Sequence, residues 1–209
     1  MKKKNKIWMM LGIVVLLTMG TTLAVWHQHI EQTNHLVADT IKAQVVENYT
    51  TSQPEDTVTK EVSFENAGST DVFVRVAYIE TWEKKDTNGK VMLLSNKLND
   101  ADVANKNWTT SFSSEWQDGG DGWFYYKYVL PAGECTEKIL DSVTFPDYEQ
   151  EDYLDYRGAD YSLYFKVEML QASTGEATLN KDTVNKEASQ VVFGKSATVD
   201  FNTNTVVWQ

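Results

Sequence analysis

The chain has 209 residues, 42% hydrophobic and 12% aromatic, with a formal net charge of -11. That is enough apolar material to bury a core, which excludes a disordered chain, and the acidic balance excludes a nucleic-acid surface, because phosphate contacts need Lys and Arg. A single cysteine, Cys135, excludes an intrachain disulfide and reads as a small residue beside a turn.

The amino terminus begins with the basic stretch MKKKNK, followed by 20 uncharged residues from Ile7 to Trp26. Basic, apolar and small residues in that order predict a signal segment over 1–26, an apolar helix with a cleavage site after Ala24. The same length suits an uncleaved anchor; either way the lysines stay inside and the body goes outside, so this segment is the one membrane contact expected.

Residues 27–50 read as a polar linker or a donor segment, and 51–209 as a β-sandwich domain. Within the linker, His27, Glu31 and His35 fall at i, i+4 and i+8. On a helix they share one face, and two imidazoles with a carboxylate can ligate zinc. The plainer reading is a polar stretch beside the leader, and no metal or cofactor is expected.

From there the period becomes two. KAQVVEN and TVTKEVSFEN read as strands, NAGST as a turn, and DVFVRVAYIETW as a central strand because both of its faces are partly apolar. KKDTNGKV holds an Asn-Gly turn. Residues 95–118 read as a long loop or a short helix laid over the sheet. GWFYYKYVL and EKILDSVTF read as strands joined by the turn PAGE. In DYSLYFKVEML, Tyr161, Leu163, Phe165, Val167 and Met169 point one way. Together with Val74, Val76 and Tyr78 they are expected to face one core between two sheets. STGEATLNKDTVNKEAS reads as a polar connection; VVFG and ATVDFNTNTVVW read as closing strands. No long amphipathic helix is expected after residue 40. Short strands with frequent turns indicate an antiparallel sandwich.

Candidate chemistry is sparse. No histidine follows His35, which removes Ser-His-Asp and Cys-His catalysis from the body, and no G-x-S-x-G, Walker loop or H-E-x-x-H occurs. Asp147, Glu149, Glu151, Asp152, Asp155 and Asp160 cluster in PDYEQEDYLDYRGADY without the spacing of a calcium loop, so a solvated acidic loop is expected. Tryptophan and tyrosine suit sugar stacking, but they also fill sandwich cores. EWQDGGDGWFYYKYVLPAGE reads as turn, strand, turn: its glycines supply positive φ and its aspartates bond the local backbone.

Four blocks in order carry a family resemblance: TVTKEVSFENAGSTDVFVRVAYIETW, W-x-DGGDGWFYYKYVLPAGE, ILDSVTF and YRGADYSLYFKVEMLQA. Together, over roughly residues 57–172, they resemble the exported biofilm-matrix proteins processed by the signal peptidase SipW, namely the TasA, camelysin (CalY) and BsaA-like group, with the BsaA-like branch nearest. The segment AVWHQHIEQ fits the family's cleavage region loosely, and 173–209 match weakly. The resemblance implies a jelly-roll-like β-sandwich exported by a Gram-positive bacterium, a non-enzymatic fibre or matrix subunit. Its implied partners are itself or a sister subunit, and the signal peptidase during export. A camelysin-like extracellular metallopeptidase and a cell-surface carbohydrate-binding module are the alternatives. NTNTVVWQ carries no L-P-x-T-G signal, so sortase anchoring is not expected.

Overall fold

Val72, Val74 and Val76 alternate with Phe73 and Arg75 at the start of the longest strand, and that alternation organises the fold. The computed structural model describes residues 43–49 by their backbone and residues 57–175 and 180–209 in full. All of these lie in one unit, Ile41–Gln209. The leader, Ala24, His27, Glu31 and His35 lie outside the described residues.

The first sheet contains β1 (Ala43–Tyr49), β2 (Thr57–Asn66), β10 (Leu140–Thr144) and β7 (Asn105–Trp108), in the order β1-β2-β10-β7. The second contains β11 (Asp160–Gln171), β3 (Val72–Lys85), β9 (Phe124–Tyr126) and β8 (Trp116–Asp118), in the order β11-β3-β9-β8, with β4 (Val91–Leu94) also on β3. All pairings are antiparallel. Small pieces complete the middle of the chain: a hairpin of β5 (Lys97–Leu98) and β6 (Ala101–Asp102), and helix α1 (Thr110–Glu115).

The two sheets enclose one core. Val62 and Phe64 of β2, Val74 and Val76 of β3, Leu140 of β10 and Leu163 of β11 are buried in it, and Tyr78, Phe165, Val167 and Met169 pack against it. The expected inward set therefore meets in one place. Phe64 and Phe165 touch across the sheets with ring centroids 6.2 Å apart. Asn66 fastens one end: its Nδ2 donates to the carbonyls of Thr70, Leu130 and Pro131. Its Oδ1 accepts from Gly68 N, so one fully buried amide holds both the NAGST and PAGE turns.

Three sequence expectations need correction. PAGE does not close a hairpin, because β9 and β10 belong to different sheets; the turn is a crossover between them. Residues 95–118 contribute an edge strand, β7, as well as a helix. The polar connection and VVFG form helix α2 (Lys181–Phe193), ended by Gly194 at φ 75. The final hairpin, β12 (Ala197–Asp200) with β13 (Thr205–Trp208), follows it.

Helix and hairpin cover the back of the second sheet. There a second core joins Phe73, Tyr125, Val129, Phe193, Val199, Val206 and Trp208. Trp208 packs on Phe73 and Tyr125 at 5.6 and 5.0 Å, and its indole N–H donates to the Tyr126 carbonyl. β3 is thus covered on both faces at its first half and open behind at its second, where Ile79 is 65% exposed.

This asymmetry is testable on one strand face. Phe73→Ala should cost about 3–5 kcal/mol in a denaturant titration, as for a buried aromatic leaving a cavity. Ile79→Ala, on the same face, should change stability by under about 0.5 kcal/mol.

Candidate functional site

The aspartate-glycine stretch is a hairpin loop between β8 and β9. Gly120 and Gly122 take positive φ, Asp118 Oδ1 accepts from Gly120 N, and Asp121 Oδ1 accepts from Trp123 N. Asp121 Oδ2 accepts from the Tyr125 hydroxyl at 2.7 Å. A methyl group at Gly119 would collide with the Asp121 carboxylate and the Tyr125 ring, so only glycine fits there. Both carboxylates are engaged within the hairpin. Burial alone would raise Asp121; the Tyr125 and Trp123 hydrogen bonds outweigh it and hold its pKa below the usual carboxylate value.

Beside this hairpin, Arg75 lies between the rings of Trp123 and Phe193, at 4.2 and 4.4 Å. Its Nε and Nη2 donate to Glu168 Oε2, and its Nη1 donates to the Phe193 carbonyl. The guanidinium therefore ties the last turn of α2 to the second sheet, matching a cation to a helix carboxyl end.

A second charged cluster lies inside the sandwich. Lys106 of β7 has a side chain only 2% exposed. Its Nζ is 2.8 Å from Glu80 Oε2 of β3 and 3.0 Å from Asp102 Oδ2 of β6. The Tyr161 hydroxyl of β11 donates to the same Glu80 oxygen at 2.9 Å. Burial alone would lower the Lys106 pKa, but the bonds to Glu80 and Asp102 raise it and keep the ammonium charged. Burial, then the neighbouring Glu80 carboxylate, pushes Tyr161 strongly upward, so its hydroxyl stays a donor. The cluster was not anticipated, although one signal was present: Glu80 occupies the inward register of β3, between Tyr78 and Trp82.

The other expected candidates separate. In the acidic loop, Tyr148 and Tyr156 are buried against Trp82 at ring distances of 6.1 and 5.2 Å, while the six acids face solvent. Glu149 pairs with Arg157. Among the described residues no group of three His, Cys, Asp or Glu converges as a metal site. Trp82, Trp116 and Trp208 are buried, and Trp108 and Trp123 are half-buried, so these tryptophans serve packing. Cys135 is exposed beside the β2 edge, and burial together with Glu65 and Glu134 raises its thiol pKa.

The sheet edges are the remaining candidates. Among the described residues β1 bonds to β2 alone, over a seven-residue register from Ala43↔Asn66 to Tyr49↔Lys60. Among the same residues β11 is a 12-residue edge strand of the second sheet, bonded to β3 alone. Among the described residues no helix is long and apolar enough to cross a membrane.

No protein-family model matches the chain, and no curated protein matches it. Among solved structures it is similar to the ASH / PapD-like domain of human CEP192 (PapD-like domain 7), at 16% identity over 64% of this chain and 74% of that one, with a TM-score of 0.35. A likeness of that size carries no argument about this chain. The fold is that of a two-sheet antiparallel β protein with a helix–hairpin cover.

The hairpin yields a pH prediction. A carboxylate with a depressed folded pKa adds stability above its unfolded value, about 3.9, and that stability is lost as pH falls through the folded pKa. Asp121→Asn should lower the melting temperature at neutral pH by a small amount, worth under about 1 kcal/mol at so exposed a site. The gap to the parent should close in acid; a gap independent of pH would contradict the charge assignment.

Proposed function

We propose that this chain is a non-enzymatic, exported structural subunit of a Gram-positive extracellular fibre or matrix, with a jelly-roll-like sandwich. A dedicated signal peptidase frees it by cleavage near Ala24. It then assembles by strand addition with itself or a sister subunit at the cell surface or in the matrix; a chain left uncleaved stays anchored to the membrane.

The four ordered sequence blocks support this reading, and one structural observation carries it. The strand nearest the amino-terminal arm, β1, sits at a sheet edge and bonds only to β2. An edge strand joined through a short connector is the kind of element that copies exchange, since the acceptor recovers the same backbone bonds from a neighbour. Cleavage licenses the exchange by releasing the arm that precedes β1.

The test compares a chain starting at Val25 with one starting at Thr57, by light scattering and electron microscopy. The longer chain should form fibres or oligomers and the shorter should stay monomeric. In the longer chain Val45→Pro should block assembly, because proline cannot donate to the strand ladder. Equal behaviour of the two chains would defeat the donor-strand reading.

A further inference from the structure

The Lys106 cluster joins both sheets: Lys106 from β7 of one, and Glu80 and Tyr161 from β3 and β11 of the other. One ammonium meets two carboxylates, and a tyrosine hydroxyl is aimed at one of them. The third ammonium proton meets the Ala104 carbonyl at 3.2 Å, so every donor of the buried amine is engaged. The same arrangement places groups that amide formation can use: a second acid to carry protons and a hydroxyl to steady an oxyanion.

We propose that Lys106 and Glu80 become joined by a spontaneous intramolecular amide bond, Nζ to Cδ. The ion pair is the reactant. Lys106 passes one proton to Asp102 Oδ2, 3.0 Å away, an uphill transfer because the same contacts hold the ammonium charged, so the step is slow and is drawn on by the loss of water. Asp102 hands that proton to Glu80 Oε1, so the group attacked is the neutral acid; the freed nitrogen pair then attacks Cδ, and the carbonyl pair moves to Oε2, which already accepts from the Tyr161 hydroxyl at 2.9 Å. Asp102 then carries a second proton from Nζ to the same Oε1. The bond from Cδ to Oε1 breaks, water leaves, and the carbonyl re-forms. Ammonium plus carboxylate becomes amide plus water, Asp102 ends as a carboxylate, and no oxidant, metal or co-reactant takes part.

Two physical terms favour the step. Holding amine and acyl group together substitutes for effective concentrations on the order of 10⁵ M or more. Forming the amide also removes a cation and an anion from a desolvated site, where each carries a penalty. Glu80 is the acyl partner because it carries the tyrosine donor and its side chain is 13% exposed. Asp102, at 39%, lies nearer solvent, where protons move more easily. The result is a covalent tie between the two sheets.

Intact mass spectrometry of the purified full chain under denaturing conditions tests this, followed by tryptic mapping. The expected mass is lower than the sequence mass by one water. Trypsin should fail after Lys106, giving peptide 98–127 branched to peptide 76–84, which contains Glu80. Lys106→Arg should keep the full sequence mass. In Asp102→Asn the cross-link should be incomplete. A parent chain at its full sequence mass, or one cut after Lys106, overturns the proposal. So does a water loss without the branched peptide, since an aspartyl imide gives the same mass. Complete cross-linking in Asp102→Asn overturns the role given to Asp102. None of these readouts depends on fibre assembly.

Discussion

Val72, Phe73 and Val74 are consecutive residues of an alternating strand, yet none has any exposed surface. Neighbouring side chains on a strand point to opposite faces, so burying all three requires apolar cover on both sides of the sheet. The first sheet covers Val72 and Val74. Phe73 needs a separate cover, and α2 with its hairpin supplies it through Phe193 and Trp208. Arg75 is the next residue on that back face and stands where the cover ends. Its charge is met by Glu168 and its planar faces by two aromatic rings. Beyond it, the back of β3 opens to solvent at Ile79. The carboxyl-terminal segment is thus a consequence of the first three residues of β3.

The legible part of the fold is the part in which apolar side chains supply the period. β2, β3 and β11 read directly as strands, and so did the inward set of β11. Helix α2 was hidden for a physical reason. Its buried stripe is Asn185, Ser189 and Phe193, at i, i+4 and i+8, while Val184, Val191 and Val192 face out. Hydrogen bonds replace apolar burial there. Asn185 pairs through its amide with both backbone groups of Ser173, and Ser189 Oγ accepts from Ala197 N. A helix docked by polar groups leaves no apolar periodicity. The hairpin at Asp118–Trp123 was readable because turn chemistry is local, whereas the six bonds of Asn66 and its backbone span turns more than sixty residues apart.

The charged cluster was half legible for a similar reason. β7 reads NKNW, and its inward residue is a lysine, so the strand shows no apolar alternation. Glu80 is an acid in an otherwise apolar inward row, which signals that some cation must meet it, but nothing local says which. Once Lys106 is in place, the cluster holds the two sheets together at the end remote from Asn66. Ion pairs inside a protein seldom add stability over apolar packing, because desolvation offsets their attraction. The second acid, the Ala104 carbonyl and the Tyr161 hydroxyl lessen that cost by satisfying every buried donor, and the proposed amide would remove it.

The two sheets hold their edges differently, and this bears on assembly. On β2, the side chains of Val62, Phe64 and Asn66 are already fixed in the space between the sheets or under the turns. The register of β1 on β2 along Lys60–Asn66 is a row of backbone pairings. A row of this kind is indifferent to the source of the strand, because the same donors and acceptors are met by the chain's own segment or by a neighbour's. Exchange would nearly conserve the backbone bond count. The balance would then rest on subunit concentration. Cross-linking Glu80 to Lys106 would not disturb it, since neither residue lies on β1 or β2. The proposed cross-link and the proposed strand exchange would therefore act on separate parts of the sandwich.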